Sequence, residues 1–410
     1  MGHDGGQGHW IEKERCGGMN GADKSVSRTQ DVWMKNEVVI GLVMVAVLTV
    51  IMLTLGLPLV LTILIDAAVF TIVTLSLNLE VGHTGISQFG RVLAVIAGAF
   101  VVGAVPGRVL AFLNGLPYGV SYADDAVNYK VVPAISDLLA SSLPLSVGFL
   151  LFSFVLAAVA GAVVGWLTSR PAIRLKEAYL GISLLAFGDF FMWVGHNWEP
   201  LVGGTTAVFV PDPFRVVWGS RFQVIVIVAV IMAFLVYLYL EKLTRSPFGR
   251  TLHMVRDCDV AAAVCGKDIV SIRTQSLMIG SALAAVGGAL YVIYAGTCTA
   301  IGFTRLTWTF WPWAYMMLGG IGSNRGVVLG VLMLTVARTL IITYRSTLFG
   351  FLLAWGIDPM WLEYTLMGLV IMLVVLFMPH GLVPAKVESI LPAGRVRKAA
   401  QEQGFGATVG

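Results

Sequence analysis

Charged residues are scarce in this chain of 410 residues. They make up 12% of the sequence, while 57% is hydrophobic and the mean hydropathy is +0.85; an average soluble domain has about a quarter charged residues. This shortage of charge argues against a soluble domain and predicts an integral membrane protein. The net charge of +4 does not indicate nucleic-acid binding, because the surplus Lys and Arg lie at the ends of apolar runs, where membrane topology accounts for them.

Cysteine is also scarce, and the four thiols form no C-x-x-C pair. They are Cys16, Cys258, Cys265 and Cys298. Cys258 and Cys265 lie in a basic segment that we predict to be cytoplasmic, where thiols stay reduced. No disulfide framework is therefore predicted.

The familiar catalytic motifs are missing from the sequence. It contains no H-E-x-x-H, G-x-S-x-G or Walker A motif. The nearest approach to Walker A, CGKD at 265–268, has Ala261 in place of the first Gly and Asp268 in place of Ser or Thr. We predict no catalytic residues, no metal site and no enzyme activity, so the energy for any uphill transport would come from an ion gradient or from a separate subunit.

Long apolar runs dominate the rest of the sequence and predict an all-α polytopic membrane protein with about ten transmembrane helices. The predicted spans are 38–57, 59–79, 92–113, 145–167, 180–195, 221–240, 274–295, 308–318, 327–343 and 361–378. Glycine-broken segments at 82–90 and 296–302 follow the second and seventh spans. Two blocks of five spans with breaks at matching positions favour an inverted repeat, which is typical of transporters.

The flanking charges predict the domains and their sides of the membrane. Residues 1–37 are polar and glycine-rich and read as a disordered cytoplasmic tail, 38–380 as the transmembrane domain and 381–410 as a second cytoplasmic tail. The basic segment 241–273 falls on the same side as both tails, in agreement with the positive-inside rule. The polar segment 114–144 is predicted to be a long outside loop.

The segment 241–273 carries helix signals of its own. Ser246 and Pro247 predict the start of a helix with Leu252 and Val255 on one side. Asp259 is expected to cap a second short helix, 260–265, that Gly266 ends. Two interpretations remain open at this level: a compact docking surface, or a solvated loop that joins two spans.

Gly82, Gly85 and Gly90 interrupt the apolar pattern after the second span. Unpaired backbone at membrane depth is tolerated where it is buried in protein or lines a watery cavity, so this break predicts part of a pathway. The alternative is a tight turn between spans.

Four ionisable residues fall within predicted spans: Asp66, Asp189, Arg338 and Glu363. Such groups either bind a coupling ion or make hydrogen bonds between helices. Asp66 lies deepest in its span and is the strongest candidate for a functional charge.

Two further runs have a structural and a functional interpretation. The aromatic run 308–315 suits a solute gate or a belt at the membrane interface. The small residues at 281–288 predict close helix packing.

Several motifs, in order, resemble the permease subunits of ABC importers for branched-chain amino acids, the LivM-type family, which also includes permeases for urea and short amides. They are LNLEVGHTGISQFG at 77–90, YLGISLLAFGDFF at 179–191, SPFGRTLHMVRDCDVAAAVCGKDI at 246–269, MMLGGIGSNRGVVLG at 316–330 and LFMPHGLV at 376–383. The resemblance covers about residues 59–381. Arg91 departs from the family pattern, and we interpret it as a topology charge or as a group that favours acidic solutes.

The resemblance implies roles for particular residues. The positions expected to couple to an ATPase are Gly249, Arg250, Arg256, Asp259, Ala261, Ala262 and Gly266. Those expected to line or shape the translocation pathway are Asn78, Gly82, Thr84, Gly85 and Ser87.

The resemblance also implies partners and a location. We expect two ATPase subunits, a second homologous permease subunit, an extracytoplasmic solute-binding protein and surrounding membrane lipid, in a prokaryotic plasma membrane. The implied function is ATP-driven import of branched-chain or related small amino acids by alternating access. A urea or short-amide permease and an ion-gradient-driven secondary carrier remain as alternatives.

Overall fold

The structure is a computed structural model that describes residues 23–175, 177–217, 219–349, 362–378 and 381–384. Up to residue 202 the helices are α1 (Asp23–Leu55), α2 (Leu57–Asn78), α3 (Arg91–Ala104), α4 (Pro106–Leu113), α5 (Asp125–Ser141), α6 (Leu143–Arg174), α7 (Glu177–Asn197) and α8 (Glu199–Val202). The later elements are β1 (Val208–Phe209), α9 (Arg221–Thr244), α10 (Pro247–Asp257), α11 (Asp259–Val264), α12 (Ile269–Ala295), β2 (Thr297–Cys298), α13 (Trp311–Gly319), α14 (Asn324–Phe349) and α15 (Leu362–Phe377).

The chain divides into two units. One runs from Asn36 to Pro384 and contains every element discussed below from α2 onward. The other comprises Met1–Lys35 and Ala385–Gly410. Helix α1 begins inside the segment predicted to be a disordered cytoplasmic tail, so residues 23–37 are helical, and the predicted domain boundaries stay a prediction. Residues 1–22 and the predicted C-terminal tail from 385 onward lie outside the described residues.

Six helical segments within the described ranges are long and apolar enough to cross a membrane. They are Leu57–His83, Arg91–Leu113, Leu143–Ala172, Arg221–Thr244, Ile269–Ala295 and Asn324–Tyr344. They contain 21 to 30 residues, and at a rise of about 1.5 Å per residue the shortest spans a hydrocarbon core of about 30 Å. The predicted all-α polytopic membrane fold is confirmed, while the count of ten spans stays a prediction.

The centre of the helical unit is formed by α2, α3 and α12, whose residues are mostly buried, whereas α6 and α9 expose one long apolar side. Helix α12 packs closely because small residues face each other. A Cβ added at Gly98 would lie 2.0 Å from the Ala285 carbonyl oxygen, and one at Gly288 would lie 2.2 Å from the Val95 carbonyl oxygen. The close packing predicted for residues 281–288 is confirmed.

The segment predicted to be a long outside loop is largely helical. Helix α5 occupies most of 114–144, and the Asp124 carboxylate caps it by accepting a hydrogen bond from the Ala126 amide. Tyr122 and Ile135 lie in a small separate core together with Val208 of β1. Helix α5 buries one apolar stripe in a segment whose overall composition is polar, and the location of this segment outside the membrane stays a prediction.

Both predicted glycine breaks follow the end of a long helix. After α2 the chain makes a π-helical turn, Leu79–His83, and runs without helix to α3. After α12 it forms β2, which pairs antiparallel with β1, and then a second π-helical turn at Leu306–Phe310 before α13. The breaks agree with the predicted positions, and the inverted repeat itself stays a prediction.

Candidate translocation and coupling site

Helix α10 begins where the sequence predicts. The Ser246 hydroxyl accepts a hydrogen bond from the Gly249 amide at 3.4 Å, and Pro247 occupies the first turn. Leu252 and Val255 are fully buried on one side of the helix. Gly249 cannot carry a side chain, because a Cβ there would lie 1.9 Å from the Thr244 carbonyl oxygen. The short helix is therefore packed closely against the end of α9 and the core.

Helix α11 follows α10 directly, but Asp259 does not cap it. Cys258 holds the cap position, and the Asp259 carboxylate instead pairs with the Arg273 guanidinium at 2.8 Å, which ties α11 to α12. Asp268 supplies the cap of α12 by accepting hydrogen bonds from two backbone amides. Gly266, with φ of +73°, ends the helical segment as predicted.

The outer face of α11 is apolar and exposed. Val260 and Val264, four residues apart and hence on the same side of the helix, are 73% and 84% exposed. Ala261 is also exposed, whereas Ala262 is buried beneath the helix. Arg250 is exposed on α10. The sequence analysis missed this valine pair, although spacing of i and i+4 in a polar segment is a detectable signal.

The helix break after α2 is buried despite its polar sequence. Thr84 is fully buried, and its hydroxyl hydrogen-bonds the Leu79 carbonyl oxygen at 2.9 Å and lies 2.7 Å from the Ser276 hydroxyl. Gly85 adopts φ of +77° and is exposed, and Ser87 is partly buried. The break is thus a folded segment stabilised by hydrogen bonds to its own helix and to α12.

Asn78 connects the break to two other parts of the chain. Its Oδ1 accepts a hydrogen bond from the Gly322 amide at 2.8 Å, and its Nδ2 donates one to Asn324 Oδ1 at 3.0 Å. Asn324 Nδ2 in turn donates to Glu241 Oε2 at 3.2 Å. Gly82 is required beside this amide, since a Cβ there would lie 2.2 Å from Asn78 Oδ1.

Helix α10 contacts the break directly. The Arg256 guanidinium donates a hydrogen bond to the Gly82 carbonyl oxygen, and its stem packs against Gly85. His83 Nδ1 lies 3.2 Å from His253 Nε2, with the two rings edge to face. Of the residues predicted to couple to an ATPase, Arg256 therefore meets Gly82 and Gly85 of those predicted to shape the pathway. We call this contact between residues 82–85 and α10 the coupling junction.

Arg91 is neither a topology charge nor a free cation. Its guanidinium lies 2.5 Å from the Glu80 carboxylate with both side chains fully buried, and it also donates to the Gly280 carbonyl oxygen at 3.1 Å. A Cβ at Gly280 would lie 2.1 Å from Glu80 Oε1, so glycine makes room for the carboxylate. Both earlier interpretations of Arg91 are wrong, because its charge is neutralised inside the protein by a carboxylate that the sequence analysis did not single out.

The aromatic run 308–315 is not an interfacial belt. Trp308, Trp311 and Tyr315 are buried, and the rings of Trp308 and Tyr315 each lie 5.4 Å from that of Phe70. Trp313 stacks on Phe89 of the break at 4.7 Å, and its indole nitrogen donates to the Gln88 carbonyl oxygen at 3.0 Å. The run connects α13 to α2 and to the break, and a gating role stays a prediction.

The ionisable residues of the predicted spans have different surroundings. Asp189 forms an ion pair with Arg305 at 3.0 Å near the protein surface. Asp66 interacts electrostatically with Arg338, although 272 residues separate them in the sequence. The Glu363 side chain lies outside the described residues.

The part of the chain that the structure describes holds two exposed thiols and one buried thiol. It contains no group of three or more His, Cys, Asp or Glu side chains able to hold a metal ion. Cys258 and Cys265 are exposed thiols, whereas burial in β2 raises the pKa of the Cys298 thiol to about 12. Cys298 therefore remains a protonated, packed side chain at neutral pH.

Together these features define a polytopic α-helical membrane protein with a buried helix break and a compact polar segment that contacts it. Residues 59–375 match the family described as branched-chain amino acid transport system / permease component, and the chain belongs to that family. A comparison with solved structures gave no significant match.

Curated relatives agree with this assignment. The chain is 36% identical over 329 residues to the probable branched-chain amino acid transport permease protein LivM of Methanocaldococcus jannaschii, covering 79% of this chain and 93% of that protein. It is 24% identical over 256 residues to the high-affinity permease protein LivM of Salmonella typhimurium, covering 56% of each. It is 27% identical over 271 residues to LivH of Escherichia coli, covering 57% of this chain and 86% of LivH.

Proposed function

We propose that this chain is the membrane permease subunit of an ATP-driven importer for branched-chain or related small amino acids. Membership of the permease family and the names of the relatives support the class of solute. The observation that carries the mechanism is the coupling junction, where Arg256 and His253 of α10 contact Gly82 and His83 of the helix break. The chain acts by changing shape around the solute and contributes no solute chemistry.

Transport requires that a movement of α10 and α11, driven by the ATPase subunits, be transmitted to the pathway. Two partner ATPase subunits, which bind ATP and Mg²⁺, dock against the exposed surface formed by Arg250, Val260 and Val264. Because α10 is capped by Ser246 and anchored by Leu252, it moves as a rigid body rather than absorbing the motion. The junction then moves the break at 82–85 and opens or closes the pathway.

The rest of the assembly follows from the same proposal. The basic segment 241–273 and both termini lie in the cytoplasm of a prokaryotic cell, in line with the positive-inside rule. A second, homologous permease subunit completes the pathway. A solute-binding protein on the opposite side of the membrane supplies affinity and delivers solute.

The docking step is tested by reversing one exposed charge. Arg250→Glu should prevent co-purification of the ATPase subunits and leave the permease inserted in the membrane, because repulsion replaces attraction at the docking surface. Lys130→Glu, an equally exposed charge reversal on α5, is the matched control and should co-purify normally. Undiminished ATPase binding by Arg250→Glu would contradict the docking proposal, and ATP-independent uptake by the purified permease would favour a gradient-driven carrier.

A further inference from the structure

A basic side chain of α14 lies against aromatic rings of α2 and α13, one helical turn from an acidic residue of α2. Asp66 of α2 and Arg338 of α14 interact electrostatically, and both are partly exposed. The Arg338 guanidinium carbon lies 5.1 Å from the centre of the Trp311 ring and 5.7 Å from that of Phe70. Both rings are almost fully buried, so the charged heads sit at the edge of a packed aromatic wall.

Two tyrosines of α12 complete the surroundings of Asp66. Tyr291 and Tyr294 both interact electrostatically with Asp66, and both are partly exposed. Tyr294 also interacts with Arg221, the first residue of α9, which approaches Gly296 beside the β1–β2 ribbon. These interactions place the charged pair toward the end of α12 that precedes β2, away from the coupling junction.

The exposure of this pair distinguishes it from the chain's buried structural ion pair. Glu80 and Arg91 are fully enclosed and form an ion pair with each other. Asp66 and Arg338 instead remain partly accessible within segments that cross the membrane. Ionisable groups at such depth are costly and typically mark a solute or ion pathway.

We propose that Asp66 and Arg338 form a transient binding site for a zwitterionic α-amino acid. This inference rests on the proposed import function and names the solute class at a defined place. Asp66 accepts hydrogen bonds from the α-ammonium group, and the planar guanidinium of Arg338 donates to the α-carboxylate in a forked arrangement. Urea and short amides carry neither charge, so they offer the pair no charged partner.

The proposed solute site lies on the same helix as a residue beside the coupling junction. Asp66 and Asn78 lie on the same helix, 12 residues apart in the sequence. At about 1.5 Å per residue, they are separated by about 18 Å along α2. Movement of the junction beside Asn78 is therefore transmitted along a continuous helix to the solute site.

The test uses the complete complex with its partner subunits and binding protein in proteoliposomes. Asp66→Asn and Arg338→Gln should each reduce L-leucine uptake about tenfold or more at saturating binding protein, since each leaves one solute charge unpaired. ATP hydrolysis stimulated by the loaded binding protein should stay within about twofold of wild type, because the docking surface is untouched. Asp189→Asn, the same substitution in the surface pair with Arg305, is the matched control and should transport normally.

The double variant Asp66→Asn/Arg338→Gln separates a solute site from a structural pair. The double variant removes both charges together and therefore contains no uncompensated charge. Wild-type uptake by the double variant, or by either single variant, would overturn the proposal. A second measurement needs no variant: L-leucine should raise the unfolding temperature of the wild-type permease complex, whereas leucinol, 4-methylpentanoate and urea should not. Equal shifts with all four compounds, or none with L-leucine, would also overturn it. A wild-type complex without ATP-dependent uptake would instead contradict the importer function.

Discussion

The buried ion pair between Glu80 and Arg91 is the clearest energetic feature at the scale of single residues. Both side chains are fully enclosed, so removing one partner leaves an unpaired charge inside the protein. We predict that Arg91→Met lowers the free energy of unfolding by about 3–5 kcal/mol. The double substitution Glu80→Met/Arg91→Met should recover most of this loss, because two apolar side chains need no compensation.

Thermal unfolding of the detergent-solubilised protein, followed by its retention on a sizing column, measures both effects. Lys130→Met, which removes an exposed cation, serves as the control and should unfold with the wild type. An Arg91→Met protein as stable as the wild type would show that the pair contributes nothing net to the fold.

Residues with local signals were predictable from the sequence, and residues paired over long distances were not. Ser246 and Gly266 act on their immediate neighbours, so the helix that one begins and the segment that the other ends could be predicted. The Asp259 cap was misplaced by one position, because Asp259 pairs with Arg273 instead. Arg91 was misinterpreted because its environment includes Gly280, which is 189 residues away and visible only in the folded chain.

Helix α11 makes the strongest prediction at the scale of elements. Val260 and Val264 present an apolar surface in a segment otherwise rich in charge, which is typical of a contact site for a partner protein. We predict that Val264→Asp weakens ATPase binding at least about tenfold, since burying an unpaired carboxylate costs more than the apolar contact that it replaces. Quantitative pull-down of the ATPase subunits at increasing concentration measures this loss.

Val120→Asp is the matched control for α11, because Val120 is 71% exposed but lies beside α5, outside the segment 241–273. It should bind the ATPase subunits like the wild type. Equal binding by Val264→Asp and the wild type would exclude α11 from the docking surface and leave α10 as the remaining candidate.

The element pattern was largely predictable where hydropathy governs it. The apolar runs and the two glycine breaks appear at their predicted places, since membrane-length helices and unpaired backbone obey strong constraints. The segment 114–144 was predicted as a loop and contains α5, because its core depends on Val208 from a distant strand. The aromatic run at 308–315 was equally ambiguous, since burial against Phe70 cannot be distinguished from an interfacial belt by composition.

At the scale of the whole molecule, the residues of the coupling junction differ from those proposed to bind the ATPase subunits, so transport and assembly can be tested separately. Arg256 belongs to α10, yet its guanidinium donates a hydrogen bond to the Gly82 carbonyl oxygen of the helix break, and the exposed residues that we propose for docking lie elsewhere on α10 and α11. Loss of this contact should therefore leave the docking surface intact while interrupting the path of the motion. The predicted phenotype is an assembled complex that hydrolyses ATP without moving solute efficiently.

Arg256→Ala tests this separation. We predict normal co-purification of the ATPase subunits, and an uptake per ATP hydrolysed that falls about tenfold, the loss expected for one charge-assisted hydrogen bond worth about 1.5 kcal/mol. Thr251→Ala on the same helix is the control, because the Thr251 hydroxyl bonds its own helix at Pro247 and is exposed. Simultaneous measurement of leucine uptake and phosphate release in proteoliposomes gives the ratio. An unchanged ratio in Arg256→Ala would mean that the motion reaches the pathway by another contact, of which the neighbouring pair of His83 and His253 is the next to test.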